Sequence, residues 1–227
     1  MCGRYALFDP DARLAPLFDL DHPTQITPRY NIAPSQTVPI VRVVDDRRRL
    51  DLARWGLIPS WAKDTKIGYR TINARGETVF EKPAFRSAAR KRRCLMPASG
   101  FYEWRKDGPE KTAKTPHWIH LKNGSPFAFA GLWEQWVSPD GEAVDSCSIV
   151  TTTANDLVRE IHERMPVILP TSAYERWLDP GEVAPERLRS LIAPYPADEM
   201  DAHPVSTRVN SPKNDDARLV ESQDSSV

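Results

Sequence analysis

Apolar positions along this 227-residue chain fall into short runs, and most of the runs are strand-like. The stretches 38–44, 50–55, 118–121, 127–132, 147–152 and 167–169 are β-branched or aromatic and bounded by turn signals, which predicts strands. Helical spacing is rarer. Leu14, Leu17 and Phe18 mark a helix over 12–18, and Leu157, Val158 and Ile161 share one face of a helix over 155–161, with Thr153 or Asn155 as its N-cap. A basic helix is predicted over 83–92, with two more over 172–178 and 185–192. Strands and helices do not alternate, so a parallel βαβ sheet is disfavoured. The pattern predicts an α+β fold built on a curved, mainly antiparallel sheet with short flanking helices.

Prolines number 21 against 10 glycines, so elements should be short and loops frequent. There is no internal repeat and no linker, so residues 1–210 are expected to form one domain. The polar stretch 211–227 is expected to be a disordered tail.

Composition narrows the function classes. Seven Trp and 40% hydrophobic content support a real core. No run of about 18 apolar residues and no basic-then-apolar leader is present, which points to a cytoplasmic protein without a membrane segment. Cys2, Cys94 and Cys147 are widely separated, fitting neither a disulfide framework nor a zinc motif. No metal or cofactor is expected. The 31 basic residues balance 31 acidic ones, which excludes coating of nucleic acid by bulk charge but not a local Arg-lined groove. Basic runs at Arg47-Arg48-Arg49 and over 86–93 read as solvated turn or helix faces.

The chain opens Met1-Cys2-Gly3-Arg4. Removal of Met1 would leave Cys2 with a free α-amine and a thiol, whose unperturbed pKa values are roughly 8 and 8.5. Such a 1,2-aminothiol condenses with an aldehyde and closes a thiazolidine ring. The competing reading is a small buried hydrophobe or a frayed end. Other candidates also carry two readings each. Asn73, beside Arg75, is either a turn residue or an orienting hydrogen-bond partner. Glu103, among Phe101, Tyr102 and Trp104, is either a general acid with a pKa raised by desolvation or a strand residue facing solvent. His162, before Arg164, Met165 and Pro166, is either a structural cap or an acid/base. The segments 29–34 and 54–61 mix Arg, aromatics and Pro as single-strand nucleic-acid surfaces do, or else place aromatics in the core.

Together these segments resemble the SRAP (SOS response-associated peptidase) family, proteins that crosslink to abasic sites in single-stranded DNA. The resemblance runs through Cys2-Gly3-Arg4-Tyr5, Tyr30-Asn31-Ile32-Ala33-Pro34, Trp55-Gly56-Leu57-Ile58-Pro59, Ile72-Asn73-Ala74-Arg75 and Gly100-Phe101-Tyr102-Glu103-Trp104. It continues through His162-Glu163-Arg164-Met165-Pro166 and His203-Pro204-Val205-Ser206. It implies a barrel-like single domain with Cys2, Asn73, Glu103 and His162 as the active site. It implies Arg4, Arg75 and Arg164 on phosphates, and Asn31, Pro34 and Trp61 along the groove. The implied partner is single-stranded DNA bearing an abasic site, including single-strand/double-strand junctions, met by a monomer. The implied peptidase activity is removal of Met1, by the protein itself or an aminopeptidase. Trp61 stands alone where some members carry an aromatic pair, and nothing is transferred to Glu81-Lys82. The alternative is an N-terminal-nucleophile amidase or protease using the Cys2 thiolate on a peptide or amide.

Overall fold

The computed structural model describes residues 2–20, 26–107 and 113–223. Met1, whose removal the sequence leads one to expect, lies outside the described residues. The strands are β1 (Tyr5–Leu7), β2 (Arg29–Ile32), β3 (Thr37–Val44), β4 (Arg47–Trp55), β5 (Asn73–Arg75), β6 (Arg93–Ala98) and β7 (Gly100–Asp107), followed by β8 (Ala113–Leu121), β9 (Phe127–Val137), β10 (Ala143–Thr153), β11 (Arg164–Pro166), β12 (Ile168–Leu169) and β13 (Met200–Pro204). The helices are α1 (Asp11–Phe18), α2 (Arg86–Lys91), α3 (Asp156–Arg159), α4 (Tyr174–Leu178) and α5 (Pro185–Arg189). None is long and apolar enough to cross a membrane.

Five strands close on themselves. β4 pairs with β3, β3 with β6, β6 with β9 and β9 with β10, all antiparallel, and β10 returns to β4 in parallel register. Closure removes exposed sheet edges from this part of the fold. A second sheet runs β13-β8-β7-β1-β2. The chain steps from barrel to second sheet at Ser99 and Gly100, between β6 and β7. Gly100 is required there: a Cβ would lie 2.4 Å from Trp118 Cζ2 and 2.7 Å from the Ile119 carbonyl.

The predicted strand runs fall within strands except at Val167, which lies between β11 and β12, and the predicted helices all contain helix, shorter than expected at 83–92, 155–161 and 185–192. Asn155 caps α3, its side chain accepting the Val158 N–H at 2.9 Å. Two expectations fail. Arg47-Arg48-Arg49 is the start of β4, not a turn or helix face. Asp45 and Asp46, both at positive φ, make the two-residue turn, and that geometry matches the strand twist. The expectation of an unstructured tail fails for residues 211–223. Val209 and Leu219 are fully buried beside Ala6, Tyr102, Trp118 and Val205, and that apolar anchor holds the polar segment between them.

Burial carries a consequence for pH. The thiols of Cys2, Cys94 and Cys147 are all pushed well above the ordinary range, by desolvation first in each case. Unfolded thiols ionise from about pH 8.5, so above that pH the unfolded chain binds fewer protons than the folded one. Stability therefore falls as pH rises. Urea midpoints are expected to drop between about pH 8 and about pH 10; a flat profile would contradict the buried-thiol arrangement.

Candidate functional site

β10 is the spine of the site. Its C-terminal half pairs with β5 on one side, placing Asn73 opposite Ile149 and Arg75 opposite Thr151. On the other side it pairs with β11, placing Arg164 opposite Thr153. Residues 73–75 and 162–164, far apart in sequence, are thereby brought to one end of one strand.

Asn73 ties this end to the N-terminus: its Nδ2 donates to the Cys2 carbonyl at 2.7 Å. Cys2 is fully buried within the main core. Burial, and after it the negative charge of Glu103, hold the Cys2 thiol in its neutral form. This corrects the reading from unperturbed values, in which thiol and amine share reactivity near neutral pH. Here the thiol must lose its proton as it reacts.

Glu103 is 3% exposed, so the solvent-facing alternative does not hold. Strand alternation explains its place. Phe101 and Glu103 face the side where Cys2 is buried, while Tyr102 and Trp104 face the C-terminal segment. His162 is half-buried after α3. Its Nδ1 meets the backbone of Arg164 twice, 3.0 Å from the N–H and 3.2 Å from the carbonyl, which fixes the ring's orientation.

Arg164 is firmly held. Its guanidinium grips the Glu77 carboxylate through both terminal nitrogens, and Nη2 also donates to the Thr151 carbonyl at 2.9 Å. The Arg164 side chain is 12% exposed and that of Glu77 49%. The Arg164 hydrogen bond holds the Glu77 carboxyl below the usual carboxylate range. Sequence reading did not assign Glu77 or Thr151 a role.

Beside Asn73 opens a groove of about 580 Å³, lined by Trp61, Arg70, Arg75, Lys82 and Phe85 among others. Trp61 is 59% exposed, a flat apolar face beside three cations. Arg70 and Lys82 were not singled out from sequence. Their legible signal was only a basic residue near an aromatic, as in Tyr69-Arg70. Trp55, by contrast, is core, its indole N–H on the Ile72 carbonyl at 2.9 Å.

Arg4, expected on a phosphate, and Asn31 and Pro34, expected along the groove, do not line the groove beside Asn73. Arg4 donates to Asn31 Oδ1 at 2.6 Å and to the Val209 carbonyl at 2.7 Å, beneath the C-terminal segment. Desolvation lowers its pKa. Asn31 is 1% exposed, beneath the same segment. Pro34 is half-buried in the turn between β2 and β3.

Fold and site together define a small α+β barrel protein with a buried thiol at its second residue, a carboxylate against that thiol, and a basic aromatic groove alongside. The profile of the SOS response associated peptidase (SRAP) family matches residues 1–212. This chain belongs to the SRAP family. The abasic site processing protein YoqW of Bacillus subtilis is 47% identical over 227 residues, covering 98% of this chain and 100% of that protein. The abasic site processing protein HMCES of Mus musculus is 33% identical over 230 residues, covering 85% of this chain and 64% of the mouse protein. A crystal structure of a protein from Bacteroides thetaiotaomicron matches with a TM-score of 0.87 at 29% identity, covering 97% of this chain and 99% of that one.

Proposed function

We propose that this protein captures abasic sites in single-stranded DNA as a covalent thiazolidine on Cys2. The observation that carries the reading is the buried Cys2, tethered through its carbonyl by Asn73 at 2.7 Å and bearing the charge of Glu103 on its thiol, next to the groove. The names of the relatives point the same way.

Hydrolysis of the Met1–Cys2 bond frees the α-amine. The amine adds to C1′ of the ring-opened sugar, and loss of one water leaves an imine. The thiol sulfur then adds to the imine carbon, and its proton ends on the nitrogen. Net, one aldehyde and one aminothiol give one thiazolidine and one water. The second step is intramolecular and gains the effective molarity of a tethered nucleophile. Glu103 moves protons between amine, water and thiol. His162 stabilises the opened sugar's hydroxyl by a hydrogen bond from its ring. Asn73 orients the Cys2 backbone. Trp61 offers a stacking face to a flanking base, and Arg75 and Arg164 offer cations to phosphates.

Intact-mass spectrometry tests this with a single-stranded oligonucleotide bearing one abasic site. The expected product is Met1-free protein plus DNA less one water, stable to denaturant and mapped to the Cys2 peptide. Met1-free protein that binds DNA but never shifts mass would overturn the reading. Turnover of a peptide amide through an acyl-enzyme would favour the amidase.

Glu77 has a separable role. Its carboxylate occupies the fork that a phosphate would need. Glu77→Gln is expected to tighten binding of an intact single-stranded oligonucleotide and to steepen its salt dependence by about one contact. Fluorescence anisotropy across a salt series reads this; an unchanged slope would show that the fork takes no phosphate.

A further inference from the structure

Asn31 makes more contacts than any groove role would need. Its Oδ1 accepts the Arg4 guanidinium, and its Nδ2 lies 3.2, 3.0 and 2.7 Å from the carbonyls of Val209, Ser211 and Asn214. A side-chain amide has two N–H groups, so three carbonyls saturate it. The segment it gathers is anchored at further points. Trp104 Nε1 donates to Asn210 Oδ1 at 2.8 Å, the Tyr30 N–H donates to the Asp215 carboxylate, and Leu219 is fully buried. Residues 207–220 thus form a clasp over the face of the second sheet opposite Glu103.

The clasp reaches the nucleophile through Arg4. Cys2 is two residues away, and the strand that follows is weak. β1 has three residues, and its register with β2 shifts between Tyr5 and Leu7. So short a strand cannot hold its own leading residues by ladder bonds alone. The Arg4 carbonyl takes the Tyr102 N–H at 2.9 Å, and its side chain is fastened to Asn31 and Val209. Cys2 is therefore held from two directions, by Asn73 on its carbonyl and by the Arg4 anchor behind it.

We propose that Asn31 is a positioning residue: it locks the C-terminal clasp onto Arg4 and thereby fixes the Cys2 nucleophile in the buried site. A separable part of the proposal, its effect on crosslinking, rests on the function proposed above. The role predicts an asymmetry that DNA contact would not. Loss of the lock should loosen Cys2 and slow crosslinking while leaving the groove's affinity for intact DNA alone.

Two variants test it. Asn31→Asp keeps an acceptor for Arg4 but turns three accepting carbonyls against a carboxylate. Leu219→Ala loosens the clasp's apolar anchor and removes none of the hydrogen bonds made by Arg4 or Asn31. The first readout needs no DNA: alkylation of the native protein by iodoacetamide, quantified at each cysteine by peptide mapping. Both variants are expected to label Cys2 on the order of tenfold faster, with the barrel cysteines Cys94 and Cys147 still protected. Crosslinking to abasic DNA should slow by about the same factor, while affinity for intact single-stranded DNA stays within about threefold. Wild-type labelling of Cys2 in both variants overturns the proposal, as does labelling of all three cysteines together, which would mean global rather than local loosening. Faster Cys2 labelling in variants of a protein that does not crosslink at all would retain the lock and reject the crosslinking reading instead.

Discussion

Cys2→Ala protein is expected to form no adduct with abasic DNA that survives denaturation, while still binding the DNA. The substitution leaves the α-amine and removes the sulfur, so an imine can form but the ring cannot. An imine equilibrates with water and is lost on denaturation; a thiazolidine carbon bears both nitrogen and sulfur and persists. Cys2→Ser separates the two steps. Its hydroxyl is a far poorer nucleophile toward the imine carbon, so the adduct should appear only when borohydride is added to trap the imine. The groove residues Trp61, Arg70, Arg75 and Lys82 are untouched by either change, so binding should remain and weaken with salt. Denaturing electrophoresis and intact mass, each with and without borohydride, read both variants. A heat-stable Cys2→Ala adduct without borohydride would place the bond elsewhere and end the thiazolidine mechanism. Both variants also sit in a fully buried position, so their folding must be verified by denaturant titration alongside.

Glu103→Gln should move two rates in opposite directions. The carboxylate charge helps hold the Cys2 thiol in its neutral form, second only to burial. Removing the charge lowers the thiol's pKa, so at a fixed alkaline pH more thiolate is present and alkylation of Cys2 by iodoacetamide speeds up. Crosslinking should slow by about 10²–10⁴-fold, because the group that carries protons to and from the amine and the leaving water is gone. Gln keeps the shape and the hydrogen-bonding capacity, so packing around β7 should survive. A variant that slows both reactions would mean that Glu103 shapes the pocket rather than supplying charge and protons. One that changes neither would remove it from the mechanism.

These tests bear on different links of one chain of causes. The Cys2 variants ask which atoms form the bond. The Glu103 variant asks where the protons go. The Asn31 and Leu219 variants ask what holds the nucleophile still, and the Glu77 variant asks what competes with a phosphate for Arg164.

Much of this architecture was legible in the order of residues. β-branched and aromatic runs bounded by turn signals marked the barrel strands at 38–44, 127–132 and 147–152, because strand formation there follows local alternation and burial. Asn155 was legible as a cap because capping is a contact across three residues. The chemical character of Cys2 was legible because it belongs to one residue. Short strands such as β1, β5 and β11 were not legible, since three residues carry no period and pair only where β10, β7 or β2 meets them.

What the fold alone decided was neighbourhood. Only the pairing of β5 and β11 on opposite sides of β10 brings Asn73, Arg75 and Arg164 to one place. Only burial, with the charge of Glu103 after it, keeps the Cys2 thiol protonated far above the pH at which a free thiol ionises. Only the packing of Leu219 and Val209 turns a polar, tail-like stretch into a clasp, and Asn31 from an expected DNA contact into its lock. Residue type sets what a side chain can do, and propensity acts over a few neighbours. Solvent exclusion, charge proximity and hydrogen-bond partners are set by contacts across tens to hundreds of residues, and those exist only once the barrel has closed.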